Sequence, residues 1–589
     1  MNTIHWILIS IDMEQLEKEL DKRVQSWLQS NFDSDTKKEI NDMLESGRFT
    51  ELTDAFYRDL DFGTGGLRGV VGVGTNRMNR YTVGIATQGF ANYLNKKYKG
   101  QPVKIAIAYD NRNSSKHLSN VCTDVLTANG IEVFIYEELR PTPVLSFAVR
   151  ELGCQGGIML TASHNPKEYN GYKVYGSDGG QLVYPADVEV IKEVREIATI
   201  DQVNFASNTD LITYLDHELD EIYFNKIKPF SIRADIDKAK EDLHIVFSPL
   251  HGTGITMVPE VLSRWGFKNV HVVPSQATPD GNFPTVEYPN PEEPEAFEQS
   301  LALANEVKAD IAMATDPDCD RVGVAVRKAD GNYELLNGNQ LGSLLVHYVL
   351  QGLKDSGRLD ETGFVVKTIV TTGLISDIAR SFDIACYDVL TGFKYIGEKI
   401  TQLENQNTFL VGGEESYGYL IGDLVRDKDA IISCVIVAEM AAWYKSQGLT
   451  LLDALSSLYE KYGHYREQLI SVTKKGKEGL EEIAKLMDNL RQSPPTHLAG
   501  IRVAAIKDYE ISQSFDLING SKTAIELPKS NVLQFITEAN DVVSVRPSGT
   551  EPKIKFYCSA KHISNNGTEE PSKILTLKIQ SLLDDITNK

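Results

Sequence analysis

Short β-branched and apolar runs, each followed by turn residues and then by helical spacing, recur along most of the chain, which is the alternation of βα units. KIAIAYD at 104–110, IEVFIYE at 131–137 and GGIMLTAS at 156–163 begin the series. LHIVFSPLHG at 243–252, ADIAMATD at 309–316, GFVVKTIVTTG at 363–373 and NTFLVGGEES at 407–416 continue it. Several of these runs are apolar on both faces, which predicts interior strands of parallel or mixed sheets. Each ends in a polar loop, the place where open α/β sheets bind ligands.

After about residue 460 the pattern changes. KKGKEGLEEIAKLMDNL predicts a charged helix, and IRVAAIKDYE, SNVLQFITEANDVVSVRPS and KIKFYCSA read as antiparallel strands. Ahead of the first βα unit, Leu16, Leu20, Val24, Trp27 and Leu28 recur at helical spacing. The predicted division is a helical extension over 1–45, α/β domains over 46–220, 221–335 and 336–460, and an α+β domain over 461–589. A chain of 589 residues needs several cores in any case.

Composition narrows the function. With 42% apolar and 24% charged residues the chain has ordinary globular cores. Lys+Arg 60 against Asp+Glu 82 gives a formal charge of -22, with no basic cluster, which argues against nucleic acid as a partner. A site for a small anion must therefore build its own positive potential from a few arginines, lysines and backbone N–H groups. The six cysteines are scattered without a C-x-x-C, so the expectation is a reducing cytoplasm with neither a disulfide framework nor a zinc site. The opening MNTIHWILISIDMEQLEKEL lacks the parts of a signal peptide, and no apolar run reaches the roughly 18 residues of a membrane span.

Five segments carry candidate chemistry. In TDPDCDRVG, Asp316, Asp318 and Asp320 can turn three carboxylates toward one hard cation, which would relieve their mutual repulsion; a solvated acidic turn is the plain alternative. An EF-hand is excluded because Arg321 and Arg327 stand where it needs glycine and glutamate. A dehalogenase-type phosphatase has Thr or Val where this chain has Asp320, so three ligands for Mg²⁺ beside an arginine fit better. RPSGTEPKIKFY at 546–557 has the parts of a phosphate cradle in Arg546, Ser548, Gly549 and Thr550, with Lys555 on the next strand, or it is an ordinary turn. GGEESYGY at 412–419 offers Glu414, Glu415 and Ser416 to the hydroxyls of a polyol, or is a solvated loop.

FGTGGLRG at 62–69, with Arg68, is neither a Walker A loop nor a dinucleotide fingerprint and reads as a flexible turn. Ser163-His164-Asn165 first suggests a serine hydrolase, but adjacent residues seldom meet in the geometry of a catalytic pair, and the G-x-S-x-G elbow is missing. A serine beyond a strand end could instead carry phosphate near the aspartates, or cap a helix.

In this order, FGTGGLRG, TASHNPKEYNGYK, DPDCDR, GEESYGY and RPSGTEPK closely resemble the motifs of the α-D-phosphohexomutase family, from about residue 60 to 560. The resemblance implies four domains around a central cleft, three similar α/β domains with mixed sheets and a C-terminal α+β domain. It implies interconversion of glucose 1-phosphate and glucose 6-phosphate, with glucose 1,6-bisphosphate as activator and intermediate; mannose or pentose phosphates, or non-catalytic binding of a phosphosugar, are the alternatives. Ser163 would be a phosphoserine, and an oxygen of it would join Asp316, Asp318 and Asp320 on Mg²⁺. Arg68, His164, Lys173 and Arg321 would line the reaction centre, with His164 and Lys173 both open as general base. Glu414 and Ser416 would bind sugar hydroxyls, Lys394 in TGFKYIG would contact substrate, and Arg546, Ser548, Gly549 and Thr550 would hold the unreacting phosphate. A cytoplasmic monomer or homodimer is expected. The metal loop reads D-P-D-C-D rather than the commoner D-G-D-G-D. Tyr417 and Tyr419 stand where some short bacterial members have histidine, so sugar preference does not transfer.

Overall fold

A computed structural model gives the fold over residues 18–61, 66–233, 235–474, 476–548, 553–563 and 570–587. The chain forms two compact units, each assembled from separated segments. The first contains the described residues up to Ser231, then His244–Val322 and Leu424–Val435. The second contains Ile232–Leu243, Gly323–Asp423 and Ile436–Lys589.

In the first unit, a six-stranded sheet runs in the order Leu67–Val70, Tyr169–Gly176, Gly156–Leu160, Lys104–Tyr109, Glu132–Tyr136, Ile212–Leu215. The last four are parallel to one another, and Tyr169–Gly176 runs antiparallel to both of its neighbours, so the sheet is mixed. Ile105, Ile107, Val133, Ile135, Ile158 and Leu160 form its core with residues of the helices Arg80–Lys97 and Ser115–Ala128. The run KIAIAY is buried on both faces, as continuous hydrophobicity predicts for an interior strand. A second α/β block places His244–Ser248 parallel to both Asn269–Val272 and Ile311–Thr315.

The N-terminal helices are integral to this unit. Val24, Trp27, Ile40, Met43 and Phe56 share one core with Tyr81, and Trp27 stacks on Phe32 at 4.3 Å. Asp33 caps the helix Ser34–Glu45 by accepting from the Thr36 N–H at 2.8 Å. Of the predicted helical stripe, Leu16 lies outside the described residues.

The second unit holds a third α/β block, with sheet order Ala385–Val389, Gly363–Thr368, Thr408–Gly413, Tyr419–Ile421, the first three parallel and the last antiparallel. Its C-terminal part is an eight-stranded sheet with antiparallel pairing throughout. The helices Gly476–Gln492 and Pro571–Thr587 supply Met487, Leu490, Ile579 and Leu582 to a core with Phe535, Val545 and Phe556. Three α/β blocks followed by an antiparallel α+β part are the expected fold class. Each predicted βα strand is present. Among the strands that were not predicted are Tyr169–Gly176 and His464–Thr473, where Asn170, Gly171 and Lys173 in one and Arg466, Glu467 and Gln468 in the other break the apolar pattern. Among the described residues, no helix is long and apolar enough to cross a membrane.

Glu467 on His464–Thr473 accepts from Ser559 Oγ at 3.4 Å, and burial pushes its carboxyl up to about 7 from the usual 4.5. The folded chain thus keeps a proton that the unfolded chain releases, so stability falls as pH rises from 4.5 through about 7. Glu467→Gln is expected to raise stability at pH 8 by about 1–3 kcal/mol and to leave it nearly unchanged at pH 5. Thermal denaturation at both pH values checks this, and an equal shift at the two would contradict it.

Candidate active site

The strand Gly156–Leu160 ends just before Thr161, and the chain then turns sharply. Thr161 Oγ1 accepts from the Ser163 N–H at 2.8 Å, and Ser163 itself has φ +50, the left-handed region that non-glycine residues rarely occupy. In that conformation Ser163 Oγ donates to Asp316 Oδ2 at 2.8 Å and lies 3.2 Å from His164 Nδ1.

Asp316, Asp318 and Asp320 follow the strand Ile311–Thr315, in a loop turned by Cys319 at φ +52. Four other segments of the unit hold this loop. Thr253 donates to Pro317 O from both its N–H and Oγ1, each at 2.8 Å. Thr142 donates to Asp318 from its N–H and its hydroxyl, each at 2.9 Å. Lys173, opposite Met159 on the adjacent antiparallel strand, reaches Asp318 Oδ2 at 2.7 Å and Asp320 Oδ2 at 3.4 Å. Lys428 reaches Asp320 Oδ2 at 3.0 Å and Asp427 at 3.0 Å.

The three aspartates are fully buried, and one carboxylate oxygen from each lies within 4.8 Å of the others. Asp318 Oδ1 and Asp320 Oδ1 are buried with no hydrogen-bond donor. Buried acceptors without donors are costly, and an all-oxygen set of three carboxylates suits a hard divalent cation. The residues present therefore fit a divalent metal. Burial, together with the carboxylates of Asp318 and Asp320, pushes Asp316 well above the usual carboxylate range. Asp318 goes the other way: burial alone would raise it, but the Lys173 ammonium holds it well below that range. Burial would lower Lys173, and the two aspartates more than reverse this. His164 is pushed well below its ordinary value by burial and by the guanidinium groups of Arg321 and Arg68, so its ring is neutral.

Arg68 and Arg321 stand at the edges of this cluster. Arg68, opposite Gly171 in the sheet, donates to Asn165 Oδ1 at 3.1 Å, and Arg321 pairs with Glu292 at 2.6 Å. Residues 62–65 of FGTGGLRG lie outside the described residues, but Gly66 is no loose turn. It has φ +110, and a Cβ there would come within 1.8 Å of Tyr172 O, so only glycine lets the chain run this close to its neighbour.

The first unit thus gathers Ser163, His164, Lys173, Arg68, Arg321 and the three aspartates. The remaining predicted residues belong to the second unit. Glu414, buried, accepts from the Gly392 N–H at 2.9 Å, two residues before Lys394, whose ammonium lies 5.0 Å above the Tyr395 ring. Glu415 Oε2 accepts from Thr368 Oγ1 at 3.1 Å and Thr371 Oγ1 at 3.0 Å. Ser416 is half-buried, at the turn before Tyr417, which has φ +65. Arg546 and Lys555 are direct cross-strand partners, and the Ser548 N–H closes the hairpin onto Lys553 O at 2.7 Å. Gly549 and Thr550 lie outside the described residues. Burial raises the Tyr557 hydroxyl, as do Glu415 and Glu414, against a hydrogen bond and opposing charge from Arg546. Tyr557 therefore joins the GEESYGY and RPSG loops within this unit.

Sequence reasoning missed Lys428, Thr142, Thr253 and Arg112. A signal for Lys428 existed: the run R-D-K-D at 426–429 directly precedes AIISCVIVA, apolar but for Ser433, and all four of its charged residues are buried.

Sequence profiles of "Phosphoglucomutase/phosphomannomutase, alpha/beta/alpha domain" I, II and III match residues 59–201, 221–331 and 337–462. A phosphoglucomutase of Staphylococcus haemolyticus is 38% identical over 519 residues, covering 87% of this chain and 93% of that protein. One from Staphylococcus aureus (strain bovine RF122 / ET3-1) is 39% identical over 514 residues, covering 87% and 91%. A crystal structure titled as a putative phosphomannomutase from Thermus thermophilus superposes with a TM-score of 0.66 at 21% identity, over 90% of this chain and all of that one. The open form of the Paramecium phosphoglucomutase pp63/parafusin gives 0.65 at 17%, over 90% and 96%. The last two likenesses concern the fold. Fold and relatives define a phosphosugar mutase, and its buried aspartate trio fits a divalent cation. The chain belongs to the phosphoglucomutase/phosphomannomutase family of α-D-phosphohexomutases.

Gly252 tests how firmly the metal loop is held, since a Cβ there would lie 2.4 Å from Pro317 Cα. Gly252→Ala is expected to cost about 1–3 kcal/mol of stability through overpacking and to weaken divalent-cation binding. Denaturant unfolding and titration calorimetry with Mg²⁺ check it; unchanged values for both would show that the loop yields freely.

Proposed function

We propose that this chain interconverts α-D-glucose 1-phosphate and glucose 6-phosphate by way of glucose 1,6-bisphosphate, with Ser163 as the carrier of the phosphoryl group. The observation that carries the reading is Ser163 Oγ at 2.8 Å from Asp316 within the buried aspartate trio. The names of the curated relatives support glucose as the sugar. In the forward direction the Oγ–P bond of phosphoserine breaks as a bond forms from phosphorus to O6, and the O6 proton leaves to a base. The bisphosphate then returns its O1 phosphoryl group to Ser163, whose Oγ–H proton is lost in turn, so one site serves both halves.

His164 Nδ1, at 3.2 Å, is placed to hold the proton of Ser163 Oγ. Lys173 is tied to Asp318 at 2.7 Å, which suits it to spreading the charge of a transferring phosphoryl group rather than to abstracting a proton. Arg68 and Arg321 add cationic charge at the edge of the same cluster. Asp316, Asp318 and Asp320, with an oxygen of the phosphoserine, would hold Mg²⁺, which when bound neutralises phosphoryl oxygens. Glu414, Ser416 and Lys394 are assigned to the sugar and Arg546, Ser548, Gly549, Thr550 and Lys555 to the phosphate that does not react. Division into domains near 220, 335 and 460 belongs to this reading, supported by the matched segments 59–201, 221–331 and 337–462. So does a cytoplasmic location, for which the six unpaired cysteines speak.

Coupling to glucose 6-phosphate dehydrogenase, with Mg²⁺ and a trace of glucose 1,6-bisphosphate, is expected to show turnover that chelation abolishes and Mg²⁺ restores. Ser163→Ala should lose at least about 10³-fold in kcat while keeping its fold. Near-normal activity in that variant would end the covalent route. Comparing kcat/KM on the 1-phosphates of glucose, mannose and ribose tests the sugar.

A further inference from the structure

A buried guanidinium hydrogen-bonds to the backbone of the Ser163 turn, and its charge also acts on Asp318 and Asp316. Arg112 follows the strand Lys104–Tyr109, and its side chain and that of Asp110 are 1% and 0% exposed. Arg112 Nη1 donates to Pro166 O and Tyr169 O, each at 2.8 Å. Nη2 donates to Ser163 O at 2.7 Å and, by a short bond, to Asn165 O. One side chain therefore satisfies four carbonyls of a single seven-residue turn, residues 163–169.

Its own orientation is fixed from behind. Asp110 Oδ1 accepts from the Arg112 N–H at 3.0 Å and from Ser115 Oγ at 2.6 Å, and Asp110 Oδ2 lies 3.4 Å from Arg112 Nε. Asn170 Nδ2, just past the far end of the turn, donates to Ser114 Oγ at 2.7 Å and Ser115 Oγ at 3.0 Å. Phe283 covers the guanidinium with its ring centroid at 5.3 Å.

We infer that Arg112 is a positioning residue which, by gathering the carbonyls of 163, 165, 166 and 169 around one guanidinium, holds Ser163 in the conformation that aims Oγ at Asp316. Four carbonyls converging on one buried point would otherwise repel one another and lack donors. A planar fork with donors on two nitrogens can serve them together, and a lysine ammonium, with three donors at one point, cannot. Ser163 sits at φ +50, a conformation an L-residue keeps only when its surroundings impose it. The bond from Arg112 to the Ser163 carbonyl fixes the peptide that leaves this residue, and with it the direction of its Cα–Cβ bond. Loosening the clamp should thus act on the chemical step, while groups that bind the sugar are left alone.

The inference rests on the mutase reading for its kinetic consequence but not for its structural one, so the test has two arms. Hydrogen exchange of peptides covering 158–170 needs no turnover; Arg112→Met is expected to speed exchange there by about tenfold or more and to leave peptides of the second unit unchanged. In the coupled assay the same variant should lose about 10²-fold in kcat with KM within about threefold, the effect of a displaced reacting atom. Arg112→Lys should recover little of the loss, and ethylguanidinium added to Arg112→Ala should recover more. Should Arg112→Met fail to fold, Ser115→Ala removes the 2.6 Å bond that braces Asp110 and the weaker 3.0 Å bond accepted from Asn170, which keeps its 2.7 Å bond to Ser114, and should lower kcat several-fold at constant KM. Wild-type exchange at 158–170 in every folded variant, or wild-type kcat with a raised KM, would overturn the inference. Turnover missing from the wild-type protein, with faster exchange in the variants, would instead sink the mutase reading and leave the clamp standing.

Discussion

Three buried carboxylates within five residues of one loop repel one another, and the architecture of the first unit follows from compensating them. Asp316 responds by rising well above the usual carboxylate range, whereas Asp318 and Asp320 are met by the ammonium groups of Lys173 and Lys428. These cations come from distant parts of the sequence. Lys173 stands on a strand inserted antiparallel into an otherwise parallel run, and Lys428 on a segment that leaves the second unit to join the first. The need for positive charge beside the trio gives a physical reason for the discontinuity of the first unit. Even so, two carboxylate oxygens are left without donors, and that residual demand fits a bound cation better than a salt-bridge network alone.

The second unit meets a different demand. A chain with a net charge of -22 cannot attract a phosphosugar by its overall field, so its cations must be local. Arg546 and Lys555, direct cross-strand partners, are the cations that the proposed function uses in this way. Nearby, Glu414 and Glu415 are held by a backbone N–H and two threonine hydroxyls, which fixes acceptors before any ligand arrives. The buried Tyr557 hydroxyl feels the charges of Glu415, Arg546 and Glu414, residues of both loops.

The strands were legible because their apolar runs are continuous, and continuity survives without knowledge of the tertiary fold. The aspartates stood out by their spacing, with a solvated turn as the alternative, whereas the role expected of Ser163 came from the resemblance of five ordered motifs to a family and not from its own residues. Arg112, Thr142 and Lys428 were not legible, because a lone arginine, threonine or lysine acquires meaning only from what the chain later brings beside it. Thr142 opens a helix as any threonine might; its partner, Asp318, is 176 residues away. Residues 426–429 carried half a signal, since four charges directly before a helix without a polar face are drawn into burial and must be paired. The two-unit organisation was hidden, because contact density across a chain return leaves no mark on local composition.

The serine-hydrolase reading of Ser163-His164 is instructive because its geometric objection fails while its conclusion stands. Adjacent residues do meet here, Oγ to Nδ1 at 3.2 Å, and the left-handed φ of Ser163 is what allows it. Yet the nearest partner of that hydroxyl is a carboxylate, at 2.8 Å, with two more carboxylates in the same loop. An acyl-transfer site surrounds the developing oxyanion with donors, whereas this one surrounds the serine with acceptors. Acceptors so arranged favour a group that arrives with its own cation, and phosphoryl groups on a divalent metal are of that kind. The contact between serine and histidine is therefore compatible with either chemistry, and the charge around it favours the phosphoryl transfer proposed above.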